Sequence, residues 1–131
     1  MKLSFASFCL FFLSALFMGC SDNKIVKVEG KFSVAGETVE LKKTSVIQII
    51  FYPDSSDPKN VTSFPADFDR STFTYKINAI PIGKYKVSVL FLDPYPNNDK
   101  LKGAFGPKKS PINIELTENK TFDIDIPKPK K

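Results

Sequence analysis

Across residues 26–126 the chain alternates apolar and polar side chains in steps of two, and that period restricts it to β-structure. Successive side chains of a strand point to opposite faces, whereas a helix needs apolar residues three and four apart. Val26, Val28, Phe32 and Val34 fall on one face with Gly30 among them, and Lys27, Glu29, Lys31 and Ser33 fall on the other. A half-buried strand is expected there, followed by a turn at Gly36. Residues 46–52 are apolar on both faces and stop at Pro53, as in a central strand. Residues 72–77, 84–92, 112–116 and 122–126 alternate as well. A shorter pair is expected at 39–41 and 61–68, with Pro65 confining the latter to an edge or a bulge. Pro, Gly, Asn and Asp clusters separate these runs, and all ten prolines follow Cys20. The fold class is therefore all-β: a single antiparallel β-sandwich of about seven strands over residues 25–126.

The start of the chain obeys a different rule. No charge occurs between Lys2 and Asp22, and residues 3–18 are dominated by Leu, Phe, Ala and Ser. A basic start, an apolar stretch and then small residues read as a helical signal peptide over residues 1–19. The stretch is near the lower limit of roughly 17 residues for a spanning helix, and it lacks a basic flank at its end. Phe17-Met18-Gly19-Cys20 resembles the lipobox of bacterial lipoproteins. The resemblance implies cleavage between Gly19 and Cys20 and acylation of Cys20 with chains such as palmitate, leaving residues 20–24 as a short tether. Each buried methylene contributes about 0.8 kcal/mol, so two or three acyl chains hold a small domain at a bilayer. The same resemblance implies a cell-envelope location, and Ser21 rather than Asp after the cysteine implies the outer membrane.

Several kinds of chemistry drop out at this point. Cys9 lies in the leader and Cys20 carries the lipid, so the body has no disulfide, no thiol nucleophile and no thiolate metal site. The chain has no histidine, which leaves no serine a histidine base and removes the commonest metal ligand. No glycine-rich phosphate loop is present. The formal charge of +5 comes from 19 basic and 14 acidic residues. Taking away Lys2 in the leader and Lys128, Lys130 and Lys131 in the tail, residues 127–131, reduces the 19 to 15 and leaves a nearly neutral body. Nucleic-acid binding needs clustered basic residues interleaved with aromatics on one face, and this pattern is missing. No cofactor, no metal and no nucleic-acid partner are expected, and no enzymatic activity.

The order of the elements after Cys20 resembles the carboxypeptidase-regulatory-like, or transthyretin-like, domains of small bacterial envelope lipoproteins. The matching pieces include Val28-Glu29-Gly30-Lys31-Phe32, Ile50-Phe51-Tyr52-Pro53, Asp69-Arg70-Ser71-Thr72-Phe73 and Asn119-Lys120-Thr121-Phe122-Asp123-Ile124. The most specific is Pro81-x-Gly83-x-Tyr85-x-Val87, in which proline sets the approach to a turn and glycine permits a conformation closed to other residues. Tyr85 then begins a strand with its ring in the core and its hydroxyl near a wet edge. Asp69-Arg70-Ser71 stands where the family carries Asp-Gly, so a longer loop is expected before Phe73. The resemblance implies a Greek-key sandwich acting as a structural or interaction module, and no catalytic residues.

Candidate contact residues lie in the connection over 93–111, which carries four prolines, two glycines and four lysines. Loops longer than about 12–15 residues are often functional. Tyr95, Leu101 and Phe105 are its candidate interaction residues, for an envelope protein or a polysaccharide; folding back to cap the sandwich is the competing role. A small-ligand or glycan site built from loops at one end is the second functional reading. Asp67/Asp69 and Asp123/Asp125 are carboxylate pairs of strand spacing, with the second pair expected to face water. Asp67-x-Asp69-x-Ser71 lacks the glycine and the glutamate that a calcium loop requires at its sixth and twelfth positions.

Overall fold

Among the described residues nine strands carry the alternation into a structure. The computed structural model describes residues 23–54 and 62–129. Gly19, Cys20, Val61, Lys130 and Lys131 lie outside the described residues, as does the leader. The strands are β1 (Ile25–Val34), β2 (Val46–Pro53), β3 (Phe64–Pro65), β4 (Asp67–Asp69), β5 (Thr74–Pro81), β6 (Gly83–Leu92), β7 (Asn113–Leu116), β8 (Lys120–Thr121) and β9 (Ile124–Ile126). No helix occurs among the described residues.

The strands form two sheets. One has the order β4-β5-β1-β8, with β9 also paired to β1, and the other has the order β3-β2-β6-β7. The even-numbered residues of β1 from Val26 to Val34 are buried, as the two-residue period requires. Ile47, Ile49 and Phe51 of β2 and Val87, Val89 and Phe91 of β6 join them in one apolar cluster with Tyr75, Ile77 and Ile80 of β5. Phe51 of one sheet meets Tyr75 of the other with ring centroids 6.3 Å apart. Each fully buried side chain of this size contributes about 1.5–3 kcal/mol, so a body without disulfides is held by its core.

Four local expectations are corrected. Residues 39–41 form no strand: Val39 and Leu41 pack on the core from an irregular connection, so their spacing reflects burial without ladder pairing. The 61–68 segment is split. β3 pairs with β2, and one residue later β4 pairs with β5 in the opposite sheet, so the chain changes sheets at Ala66. Pro65 lies on an edge strand, where its missing N–H breaks no ladder. Residues 72 and 73 precede the strand; Asp69 pairs with Thr74 and residues 70–73 make the connection, with Phe73 at φ +54°. Finally, the pairings are not all antiparallel, because β8 and β9 both run parallel to β1.

The break between β8 and β9 has a specific packing. A Cβ added to Gly30 would lie 1.9 Å from the main-chain oxygen of Phe122. The break between β8 and β9 thus presses its backbone onto β1 where no side chain stands, and the Tyr75 hydroxyl donates to that same carbonyl. An unmatched buried carbonyl costs roughly 1–3 kcal/mol, which this phenol removes.

The connection between β5 and β6 is one residue long and equally fixed. The Ile82 N–H donates to the Lys24 carbonyl at 2.9 Å, and the Tyr85 hydroxyl donates to the Pro81 carbonyl at 2.6 Å. Gly83 has φ +151°, a conformation that side chains bar to other residues. Ile25, Pro53, Ile82 and Leu116 therefore lie at one end of the sandwich, and Val34, Val46, Leu92 and Ile126 lie at the other.

Candidate functional site

A broad concavity lies on the outer face of the β4-β5-β1-β8 sheet. It is a trough of about 910 Å³, walled by the Arg70–Ser71 turn and by Thr121 and Asp123 of the C-terminal segment. Strand alternation supplies its floor: the residues that leave the core side of β1 and β5 must point here. Register places Glu29 opposite Lys76, and Lys76 opposite Asp67, giving an acid–base–acid row across three strands. The next row runs from Lys31 through Thr74 to Asp69. Opposed charges of this kind contribute about 0.2–1 kcal/mol per pair.

Among the described residues none of these row charges is locked in a close ion pair. The ion pairs among the described residues are Lys42–Asp93 at 3.9 Å and Lys128–Glu37 at 3.7 Å, both at the Leu92 end. The trough therefore offers three cations (Lys31, Arg70, Lys76) and four carboxylates (Glu29, Asp67, Asp69, Asp123) beside the half-buried Phe68 ring. It suits a polar ligand carrying both charge signs or many hydroxyls.

Hydrogen bonds and burial shift the proton affinity of four groups. The Ser71 hydroxyl and N–H hold the Asp69 carboxyl below the usual carboxylate range. The Gly36 N–H and the Ser33 hydroxyl do the same for Asp125. Burial pushes the Tyr75 phenol well above its ordinary value, helped by the Asp123 charge, and burial also raises Tyr85.

The sequence-predicted residues separate. Leu101 is 6% exposed inside the core, and Phe105 is half-buried against it. Tyr95 is 54% exposed at the Leu92 end. The three do not form one surface: Leu101 and Phe105 cap the sandwich, and Tyr95 remains outside. The connection itself covers the edge of β6 beyond the last β7 pair. Val87 N–H donates to the Ile112 carbonyl, Val89 N–H donates to the Phe105 carbonyl, and Lys100 N–H donates to the Phe91 carbonyl. Asp99 accepts from Phe91 N–H at 3.2 Å, and from Leu101 and Gly103 N–H at 3.0 and 2.8 Å.

The carboxylate pairs also take on roles that strand spacing does not reveal. Asp123 and Asp125 are exposed, yet both serve β1. The Lys31 N–H donates to Asp123 Oδ1 at 2.8 Å, and the Ser33 hydroxyl and Gly36 N–H donate to Asp125 Oδ1 at 2.7 and 2.8 Å. Asn119 Oδ1 accepts from Lys27 N–H at 2.9 Å. Asp69 turns onto its own loop through Ser71. Among the described residues no group of three or more His, Cys, Asp or Glu side chains could hold a metal ion. Sequence reading registered the wet faces of the strands but not their assembly into a trough, because the Arg70 turn and Asp123 arrive from distant segments. No helix among the described residues is long and apolar enough to cross a membrane.

No protein-family model matches the chain, and no curated protein and no solved structure matches it.

Proposed function

We propose that this chain is a lipid-anchored protein of the bacterial cell envelope, held in the outer membrane by acylated Cys20, whose sandwich is a non-enzymatic structural or interaction module. The observation that carries the reading is the Phe17-Met18-Gly19-Cys20 box at the end of an apolar leader, five residues before the first strand at Ile25. The same proposal includes the transthyretin-like Greek-key assignment; its support is the order of the Pro81–Val87 corner and its flanking strands. The trough on the outer sheet face is the contact surface, since no close ion pair locks its charges and hydrogen bonds fix its walls. Mass spectrometry of the membrane-fraction protein tests the anchor: the expected mass carries acyl chains on Cys20, and an unmodified Cys20 would sink the reading. Lys31→Glu with Lys76→Glu tests the surface. Co-purification of an envelope partner is expected to be lost from a protein that stays folded, with a melting temperature lowered modestly because a glutamate at position 76 would face Glu29 and Asp67.

A second reading is favoured by the size of the trough, which falls within the roughly 300–1,000 Å³ of ligand sites. Here the module holds a small polar ligand or an envelope glycan, on a sheet face and not in loops at one end. Calorimetric titration with envelope polysaccharide fragments separates the two: heat that disappears in the Lys31→Glu, Lys76→Glu protein selects the ligand reading.

A further inference from the structure

Two of the three large apolar side chains left exposed among the described residues are neighbours. Ile25 is 53% exposed and Ile82 is 39% exposed, and the Ile82 N–H donates to the Lys24 carbonyl beside Ile25. Single exposed isoleucines are ordinary, but this pair is displayed on a tightly constrained corner. Pro81, Gly83 at φ +151° and the Tyr85–Pro81 hydrogen bond hold Ile82 outward on a one-residue connection.

The chain preceding this corner decides what covers it. Residues 21–24 separate Cys20 from Ile25, and the five residue steps between the two reach about 18 Å at most at full extension. Resting on the lipid-anchor reading above, this reach keeps the Ile25 end of the sandwich beside the headgroups. We propose that Ile25 and Ile82 insert into the membrane interface and fix the sandwich upright. Tyr95 and Lys128 then lie away from the bilayer, and the trough opens sideways, parallel to its surface. Exposed charges of both signs lie on the segments that carry the pair and on their neighbours: Lys24, Lys27, Lys84 and Lys120 with Asp54, Glu115 and Glu118, and Glu115 is directly opposite Lys84. No single sign dominates, so the contact is apolar and does not depend on anionic lipid.

The thiol-free body makes the test direct, since a cysteine introduced after Cys20 is its one free thiol once Cys20 is acylated. The full-length protein, processed in cells, is labelled with an environment-sensitive fluorophore at Ile82→Cys, Lys84→Cys or Tyr95→Cys. It is then reconstituted into phosphatidylcholine vesicles containing nitroxide-labelled lipid. The Ile82 and Lys84 probes are expected to be quenched and blue-shifted, with the Tyr95 probe unaffected. Adding Ile25→Ser and Ile82→Ser to the Lys84 probe protein is expected to abolish its quenching. Equal signals at Ile82 and Tyr95 overturn the proposal, as does Lys84 quenching that survives both serines, because the tether alone then explains proximity. Mass spectrometry of each preparation keeps the two levels apart. Acylated Cys20 with an unquenched Ile82 refutes insertion alone, whereas unmodified Cys20 on protein that washes off membranes refutes the anchor and insertion together.

Discussion

Two strands run past their regular partners, and the molecule covers their edges with different chemistry. Beyond β7, the edge of β6 is covered mainly by main-chain groups of the 93–111 connection, with Asp99 as one carboxylate helper. The edge of β1 is covered by β8 and β9 together with side chains: Asn119, Asp123 and Asp125 accept donors from Lys27, Lys31, Ser33 and Gly36. Exposed edges invite pairing with other chains, so both arrangements protect the protein from aggregation. The difference is that a main-chain cover depends on apolar residues pinning the loop, while a carboxylate cover depends on charge.

The comparison can be broken at either side. Gly30→Ala should have the largest effect, because the new methyl meets the Phe122 main chain and drives the last strand off β1. A loss of about 3 kcal/mol or more is expected in urea unfolding. Leu101→Ala removes the buried pin of the β6 cover and should cost about 2–5 kcal/mol. Tyr95→Ala in the same connection should stay within about 0.5 kcal/mol of the parent, and a large loss there would show that the loop is held from outside. Tyr75→Phe leaves the Phe122 carbonyl buried without its donor, for an expected loss of about 1–3 kcal/mol.

The smallest effect concerns acid. Asp125 has its carboxyl held below the ordinary 3.8 in the folded protein, so it binds protons less readily folded than unfolded. Its contribution is present above the unfolded value, near pH 4, and fades as pH falls through the folded value. Melting curves from pH 5 to pH 2 should therefore fall less steeply for Asp125→Asn than for the parent. Identical slopes would show that the carboxylate cover on β1 contributes nothing through its charge.

Much of the fold was legible because burial on a strand repeats every two residues. Val26 to Val34, the Gly36 turn and the inward ring of Tyr85 all follow from that local rule. The Gly36 turn even carries Ala35 with it at positive φ. What escaped reading depends on partners far away in sequence. Asp123 looked like an acid on a wet face, yet its partner Lys31 N–H is 92 residues distant. Val39 and Leu41 looked like half of a ladder, but packing against a core gives the same two-residue spacing as pairing. Leu101 and Phe105 sat among lysines and prolines, where nothing local distinguishes an anchor that caps a core from one that binds a partner. The trough was invisible for the same reason, since its walls come from a turn and a C-terminal segment.

The sequence by itself determined the β-class, a chain with no histidine and with no cysteine after position 20, and the apolar stretch that precedes Cys20. These depend on residue type and on spacing within one segment, which a single chain displays in full. Only the tertiary structure decided the parallel seating of the last strand, the sheet change at Ala66 and the need for glycine at position 30. It also decided which apolar residues remain outside. Those outcomes are set by where distant backbones meet, and closing such a contact is a property of the whole fold that no local period encodes.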